Sequence, residues 1–330
     1  MKKGLTVLLI LLVAAFLSVG VFQNEAEAAA KKLKWAHVYE TSETFHKWAL
    51  WSAEEIAKRT KDAYKIEVYP ASSLGKESDI VQGLSLGTVD IVYAGTAFIA
   101  STYGPIGIGE APFMFRDFDH WKKFAQSPLF GELAGGYLEA SGGNKIPAVT
   151  YYGVRCVTSK KPINSPADMK GLKIRVPDAP LYLMFTQSVG ANAAPIAFAE
   201  VYLALQQGVV DAQENPLPTI KAKKFYEVQK YINLTQHMTN NLVTIIGAPA
   251  WKKLSDADKK IFTEVMQEAA MKNSEEVRKQ EDDLIPWFEQ QGVTINKVDR
   301  KPFMEAAKPF LTGPKATWTK EQFQKLQDIK

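Results

Sequence analysis

One long helical segment near the end of the chain limits the folds that are possible. Residues 255–291 begin with the capping pattern Ser255-Asp256-Ala257-Asp258, whose serine hydroxyl can accept a hydrogen bond from a first-turn N–H group, and they end before Gly292. A continuous helix over this segment is about 55 Å long, which is more than the width of one small domain. The pattern therefore predicts a helix that contacts two separate parts of the molecule.

Short β-rich runs alternate with helical stretches from residue 31 onward. A second alternating block covers residues 147–211, where strands are expected at 149–152 and 173–176. This order is typical of α/β proteins with largely parallel strands, which bind their ligands at the carboxyl ends of the strands. The sequence therefore predicts an α/β fold with a ligand site at strand ends.

The first thirty residues have the order of a secretory signal peptide. Lys2 and Lys3 precede an almost unbroken apolar run over residues 5–21, and Ala26 and Ala28 form a small-residue cleavage pattern. We expect cleavage near residue 30 and a periplasmic location. The remaining chain of about 300 residues exceeds what one hydrophobic core usually serves, so two domains are expected.

Composition and motifs exclude several classes of function. The formal net charge of +4 is spread along the chain, whereas nucleic-acid binding requires a concentrated basic face. The four histidines have no metal-ligand spacing, and Walker and Cys-x-x-Cys patterns are absent from the sequence. We therefore expect no nucleic-acid partner, no metal, no cofactor and no enzymatic activity.

Two arginines are the strongest candidates for ligand binding. Arg155 is expected just after the strand at 149–152 and a flexible Gly153, and Arg175 lies near the end of the strand at 173–176. Both would then lie at carboxyl ends of strands and face the cleft. A guanidinium group offers a planar fork that binds both oxygens of a carboxylate. The alternative is that each arginine pairs with an acidic side chain of the protein.

Three segments resemble the solute receptors of TRAP transporters, the tripartite ATP-independent periplasmic systems of the DctP family. They are residues 168–177 (DMKGLKIRVP), 197–206 (AFAEVYLALQ) and 210–216 (VDAQENP). The resemblance extends over the whole mature chain. The nearest subgroup is the sialate-binding receptors, which share QENP at 213–216 and KFYEVQK at 224–230 almost letter for letter.

The resemblance implies a two-lobed, periplasmic-binding-protein-like α/β fold with a mainly parallel sheet in each lobe and a long helix that contacts both. We place lobe I at residues 31–152 plus 241–280 and lobe II at 153–240 plus 281–330, after a signal peptide at 1–30. The implied partners are a small organic acid and the TRAP membrane permease subunits, and the receptor is expected to be a monomer. The resemblance also implies the site residues. Arg175 binds the ligand carboxylate, Arg155 and Asn215 assist it, and Phe198 packs against the ligand.

The chain departs from the sialate receptors at the tail end of the expected site. Gly95 and Phe98 stand where those receptors carry an acid and an arginine, and Tyr39 follows the position of their sialate-reading asparagine, whereas Glu77 keeps an acidic position. With Tyr152, these aromatic residues are expected to form apolar walls. Because the polar groups of sialate would lack partners there, an aromatic or indole-type carboxylate is expected as the ligand.

Three alternatives remain open at this stage. The ligand could be a sugar acid, such as a uronate or sialate, rather than an aromatic acid. The protein could be an exported lyase or hydrolase, although no candidate base lies beside the arginines in the sequence. It could also be the sensor domain of a kinase, which the sequence supports less because it contains no second apolar run or signalling domain.

Overall fold

The computed structural model of the protein describes residues 29–330 and contains one sheet of nine strands in that range. The strands are β1 Lys31–Ala36, β2 Tyr64–Tyr69, β3 Ile91–Gly95, β4 Lys145–Ser159, β5 Lys173–Val176, β6 Asn192–Pro195, β7 Ala212–Asn215, β8 Tyr231–Ile246 and β9 Thr294–Asn296. The α-helices are α1 Thr44–Arg59, α2 Glu77–Leu86, α3 Thr96–Ile99, α4 Phe118–Ala125, α5 Pro128–Ala140, α6 Leu183–Ser188, α7 Val201–Gln206, α8 Leu217–Ala222, α9 Ala248–Lys252, α10 Asp256–Gln290, α11 Lys301–Leu311 and α12 Lys320–Gln327.

The strand order is β2-β1-β3-β8-β4-β7-β5-β6, and β9 pairs with β8. The pairs at both ends of this order are parallel, whereas β3–β8, β8–β4 and β4–β7 are antiparallel. The α/β class is therefore confirmed. The expectation of a separate sheet in each lobe is wrong, because β4 and β8 contain 15 and 16 residues. At about 50 Å each, they run through both halves and join them into one sheet.

The predicted long helix is present as α10. The Ser255 hydroxyl accepts a hydrogen bond from the Asp258 N–H group at 3.1 Å, as the capping pattern indicates. The helix continues through Pro286 and ends at Gln290. It packs against β4 and α1, and also against α8 and β9 in the other half of the sheet. Its predicted contact with both parts of the molecule is confirmed.

Apolar clusters occupy both halves of the described structure. The largest contains Trp35, Tyr93 and Trp121, and it also receives Trp318 and Leu326 from the C-terminal segment. Two smaller clusters form around β7, one with Leu205, Phe225 and Phe288, and one with Ile174, Phe185 and Phe303. The C-terminal helix α12 therefore packs on the first half of the molecule, although the predicted division assigns it to lobe II. The lobe boundaries themselves stay a prediction.

The expected periplasmic location depends on the predicted N-terminal signal peptide. The predicted signal peptide at residues 1–30 lies outside the described residues, apart from its last two positions. Within residues 29–330, the helices lack the combination of length and apolar composition that crossing a membrane requires.

Candidate functional site

One cavity lies between the two halves of the sheet, and its walls contain all eight residues predicted for ligand binding. They are Tyr39, Glu77, Phe98, Tyr152, Arg155, Arg175, Phe198 and Asn215. The remaining walls include polar residues that the sequence did not single out, namely Lys76, Glu110, Asp178, Tyr182, Asn240 and Asn241. The cavity therefore brings together two arginines, several acidic groups and five aromatic rings.

Arg175 lies in β5 one residue before its carboxyl end, as predicted, and only 2 % of the residue is exposed. Its Nε and Nη2 atoms donate to the Ile196 carbonyl oxygen at 2.9 and 2.7 Å. Its Nη1 atom is buried and has no hydrogen-bond partner among the described residues. The guanidinium also lies 5.9 Å from the centre of the Phe198 ring.

The charge on Arg175 has no ion-pair partner within the described part of the chain. Burial, and then the neighbouring charge of Arg155, lowers the pKa of Arg175 to about 10, so the group is still cationic at neutral pH. A buried cation without a partner is energetically costly, and an anion in the cavity relieves that cost. The Nη1 atom is placed to donate to such an anion.

Arg155 differs from its predicted position, because β4 continues to Ser159 and Arg155 lies inside it. Strand alternation alone would put Tyr152 and Arg155 on opposite faces of the sheet. The register is irregular between Tyr151 and Gly153, however, and this bulge turns both side chains into the cavity. Gly153 has a φ of +116°, and a Cβ atom there would lie 2.7 Å from the Cβ atom of Pro216, so only glycine fits.

Unlike Arg175, Arg155 has a carboxylate partner within the protein. Its Nε and Nη2 atoms bind the Glu214 carboxylate, and its Nη1 atom donates to Asn240 Oδ1 at 2.7 Å. The Nε2 atom of His237 lies 3.2 Å from the same carboxylate. Although burial works against its charged form, Glu214 raises the pKa of Arg155 above its ordinary value. Arg155 therefore lines the cavity as a cation whose charge is already neutralised by Glu214.

The predicted aromatic walls fall into two groups. Tyr39 and Tyr152 are buried and pack on each other with ring centres 5.3 Å apart, while Phe45 lies behind both. Phe98 and Phe198 are only partly buried and border the cavity. These two phenylalanines offer the apolar faces that a ligand could contact.

Asn215 ends β7 and is held by its neighbours in the wall. Its Nδ2 atom donates to Gln213 Oε1 at 2.6 Å, and its Oδ1 atom lies 3.5 Å from the Tyr152 hydroxyl. The Thr219 hydroxyl is 3.0 Å from the same tyrosine oxygen. These contacts fix the orientation of the amide and of the phenol at the cavity.

Two acidic side chains, Glu77 and Glu110, also line the cavity. Glu77 accepts a hydrogen bond from the Gly95 N–H group at 2.7 Å. Glu110 is fully buried and accepts from the N–H groups of Thr96 and Ala97 at 2.9 Å each. Burial is the main cause that raises the pKa of Glu77 to about 8 and that of Glu110 to about 7.

Sequence reasoning found Glu77 but not Glu110, Asn240 or Asn241. Glu110 ends a 3-10 helix over Gly104–Glu110, a stretch for which the sequence analysis proposed no site residue. The two asparagines lie in β8 as buried amides, directly before the apolar residues Leu242 and Val243. That polar pair within a strand was the one signal in the sequence that could have indicated them.

Within residues 29–330, no group of three or more His, Cys, Asp and Glu side chains is arranged to bind a metal ion. The polar groups of the cavity wall include side-chain amides, carboxyl groups, phenols, guanidinium groups and the Lys76 ammonium group. This arrangement can bind an anion at Arg175 and hydrogen-bonding groups at Glu77 and Glu110.

Comparison with known proteins places these features in a family. Residues 35–315 match the family model described as bacterial extracellular solute-binding protein, family 7 (DctP). The chain is 38 % identical over 264 residues to the sialic acid-binding periplasmic protein SiaP of Vibrio cholerae, which covers 78 % of this chain and 80 % of that protein.

Two solved structures are also similar. A TRAP periplasmic solute binding protein from Polaromonas sp. JS666, bound to D-erythronate, superimposes with a TM-score of 0.87 at 31 % identity and covers 91 % of this chain and 99 % of that one. A TRAP periplasmic solute binding protein from Roseobacter denitrificans, with bound L-galactonate, gives a TM-score of 0.83 at 30 % identity, with 91 % and 98 % covered.

Proposed function

Because this chain belongs to the bacterial extracellular solute-binding proteins of family 7, the DctP receptors of TRAP transporters, we propose that it binds one small organic acid through Arg175 and delivers it to a TRAP membrane permease. The observation that carries the proposal is the buried guanidinium of Arg175, which has no carboxylate partner among the described residues and has a free Nη1 atom. A ligand carboxylate would supply the missing charge and accept the missing hydrogen bond.

The other cavity residues have different roles in this proposal. Arg155 is held by Glu214, so it contributes its positive field and orients Asn240 rather than forming a second carboxylate clamp. Asn215 and Tyr152 offer hydrogen-bonding groups beside the carboxylate, and Phe198 packs against the ligand. The protein changes the shape of its cavity and leaves the acid chemically unchanged, as expected for a receptor rather than an exported lyase or hydrolase.

The polar end of the cavity favours a hydroxylated acid as the ligand. Glu77 binds only the Gly95 N–H group, so its second oxygen can bind a ligand hydroxyl group, whereas an apolar ring would leave that oxygen without a partner. The two similar structures contain D-erythronate and L-galactonate, which are hydroxylated monocarboxylates. We therefore propose a sugar-acid-like hydroxycarboxylate as the first candidate.

An aromatic or indole-type carboxylate is the second candidate. It is favoured by the half-buried rings of Phe98 and Phe198 at the cavity wall. A ring of similar size could be stabilised there by about 1.5–3 kcal/mol through apolar burial. Sialate is a third candidate ligand, because a similar protein is named as a sialic acid-binding periplasmic protein.

A calorimetric panel distinguishes these candidates. We expect D-erythronate or L-galactonate to bind at least about tenfold more tightly than phenylacetate or indole acetate, because a buried carboxyl oxygen left without a partner costs roughly 1–3 kcal/mol. Phe98→Ala provides an internal control, since it should weaken aromatic acids more than hydroxy acids. Tight binding of an aromatic acid with no response to any hydroxy acid would reverse the order of the two candidates.

Closure of two lobes around the acid is the proposed mechanism. In the described conformation, groups from opposite sides of the cavity are in contact. The Lys223 Nζ atom lies 2.7 Å from Glu40 Oε1, and the Thr219 hydroxyl lies 2.8 Å from Glu43 Oε1. Because a bound acid contacts both sides only when they are close, it stabilises the closed state.

Small-angle scattering tests this mechanism. We expect the radius of gyration of the wild-type protein to decrease when a saturating amount of the tightest-binding panel acid is added. Arg175→Ala at the same acid concentration should show no decrease. An unchanged radius together with calorimetric proof of binding would indicate a rigid pocket.

Delivery to a permease requires export. We propose that residues 1–30 act as a cleaved signal peptide and that the mature receptor works as a monomer in the periplasm. The family consists of extracellular solute-binding proteins, which supports this location.

A further inference from the structure

Two carboxyl groups in the cavity wall, those of Glu77 and Glu110, bind neighbouring backbone N–H groups. Glu77 accepts from the N–H group of Gly95, and Glu110 accepts from those of Thr96 and Ala97. These are consecutive backbone amides at the start of α3, so the two carboxyl groups bind neighbouring positions. A Cβ atom on Gly95 would lie 3.3 Å from Glu110 Oε1. The Glu110 carboxyl group is therefore close to the residue whose N–H group binds Glu77.

Neither carboxyl group has a cation as its direct partner. Among the described residues, the ion pairs of the cavity wall are Arg155 with Glu214 and Lys76 with Asp178. The second of these pairs, at 3.4 Å, lies at the exposed rim beside Glu77. Two neighbouring carboxylates without a cation between them are difficult to ionise together, because like charges disfavour each other.

The other groups that face Glu77 are arginines and phenols. The charges of Arg175 and Arg155 both favour ionised Glu77, but Arg155 is already neutralised by Glu214. Tyr39, Tyr152 and Tyr182 stay neutral, because burial raises their pKa values well above 10. When an acid binds, one unpaired positive charge, that of Arg175, therefore faces three negative groups: the ligand, Glu77 and Glu110.

The hydrogen bonds decide which of the two glutamates takes a proton. Glu110 accepts three backbone hydrogen bonds, from Thr96, Ala97 and Asn241, and these stabilise its charged form. Glu77 accepts only one, from Gly95, so one of its oxygens is free to carry a proton. Glu77 is also partly exposed and can exchange that proton with solvent.

We infer that Glu77 is protonated when a carboxylate is bound at Arg175, that it takes up this proton from solvent wherever it is ionised in the free protein, and that the protonated side chain donates a hydrogen bond to an oxygen of the ligand. This inference rests on the proposed function. It makes Glu77 a specificity residue that favours ligands with an acceptor oxygen at the tail. At alkaline pH, where free Glu77 is ionised, the receptor would take up an acid anion together with a proton.

The pH dependence follows from the direction of proton uptake. In the free protein, burial raises the pKa of Glu77 to about 8, and a bound anion raises it further. The complex therefore holds more protons than the free protein at pH values above about 8. Affinity should be nearly constant below about pH 7 and should fall by up to about tenfold per pH unit above pH 8.

Calorimetry measures the linked proton directly. At about pH 8.5, D-erythronate or the tightest-binding panel acid is titrated in phosphate and in Tris, which differ in ionisation heat. We expect uptake of about 0.5 to 1 proton per acid by the wild type. Glu77→Gln should lose this uptake while binding within about tenfold of wild type at pH 7, because the amide resembles the protonated acid. Asp79→Asn, on the same helix but exposed, should keep it.

A measurement on the free protein separates this inference from the proposed function. In protein with ¹³C-labelled glutamate carboxyl groups, we expect one carboxyl signal to titrate near pH 8, and Glu77→Gln should remove that signal. The inference would be overturned, even if acids bind, if Glu77→Gln removes none of the carboxyl signals that titrate above about pH 6. Full proton uptake by Glu77→Gln would overturn it as well. If no panel acid binds, the proposed function fails, while the free-protein titration still decides the state of Glu77.

Discussion

Replacing Arg175 by alanine is expected to weaken acid binding by about 2–5 kcal/mol, or roughly 30- to 4,000-fold in Kd, because the ligand carboxylate would be buried without a charged partner. Arg175→Lys should recover only part of this loss, since an ammonium group lacks the planar fork of the guanidinium. Titration calorimetry with the tightest-binding panel acid measures both effects.

The matched control is Arg59→Ala. Arg59 is a surface arginine that pairs with Glu55 and Glu268, far from the cavity wall. This variant should bind the acid with wild-type affinity. If Arg175→Ala binds within about twofold of wild type, Arg175 has no place in the site.

Replacing Glu214 by glutamine should reduce the free energy of unfolding by about 3–5 kcal/mol, because it leaves the buried charge of Arg155 without its carboxylate. Both side chains of this pair are 2 % exposed, so water cannot take the place of the lost partner. Chemical denaturation followed by circular dichroism measures the change.

The corresponding control is an exposed ion pair. Glu268 pairs with Lys272 on α10 and is 38 % exposed, so Glu268→Gln should change stability little. A Glu214→Gln protein as stable as wild type would show that Arg155 is not held by a resident carboxylate. Arg155 would then be available as a second ligand clamp, as the sequence resemblance implies.

Several elements of the fold were predicted from the sequence, because helix caps and short strands are determined by neighbouring residues. The cap at Ser255 and the stop before Gly292 define α10 to within one residue at each end. The strand at 173–176 was also predicted with its correct bounds, which places Arg175 at the cleft. Each depends on short-range chemistry that a single sequence contains.

The joining of the two halves into one sheet was not predictable in the same way. Strand β4 passes through Gly153, a residue that usually indicates a strand end, because the bulge there is stabilised by its pairing with β8. That pairing is formed by residues more than eighty positions away, so no local pattern reports it. The error moved Arg155 from a strand end into a strand interior.

The sequence predicted both arginines of the candidate site, but among its acidic residues it predicted only Glu77. Arg175 was predicted because an arginine near the carboxyl end of a strand can bind a ligand carboxylate in the cleft. The partner of Arg155 was missed, because Glu214 is adjacent in space and not in sequence. Glu110 was missed for a similar reason, since its role depends on backbone N–H groups of α3 that only the folded chain brings to it.

The most direct test of the central claim is native mass spectrometry of the mature protein, purified without denaturation and supplied with the panel acids. We expect one acid per chain on wild type, none on Arg175→Ala, and recovery of the acid at unchanged mass after prolonged incubation. Equal occupancy of both proteins, or recovery of the acid at an altered mass, would contradict a receptor that binds its ligand through Arg175.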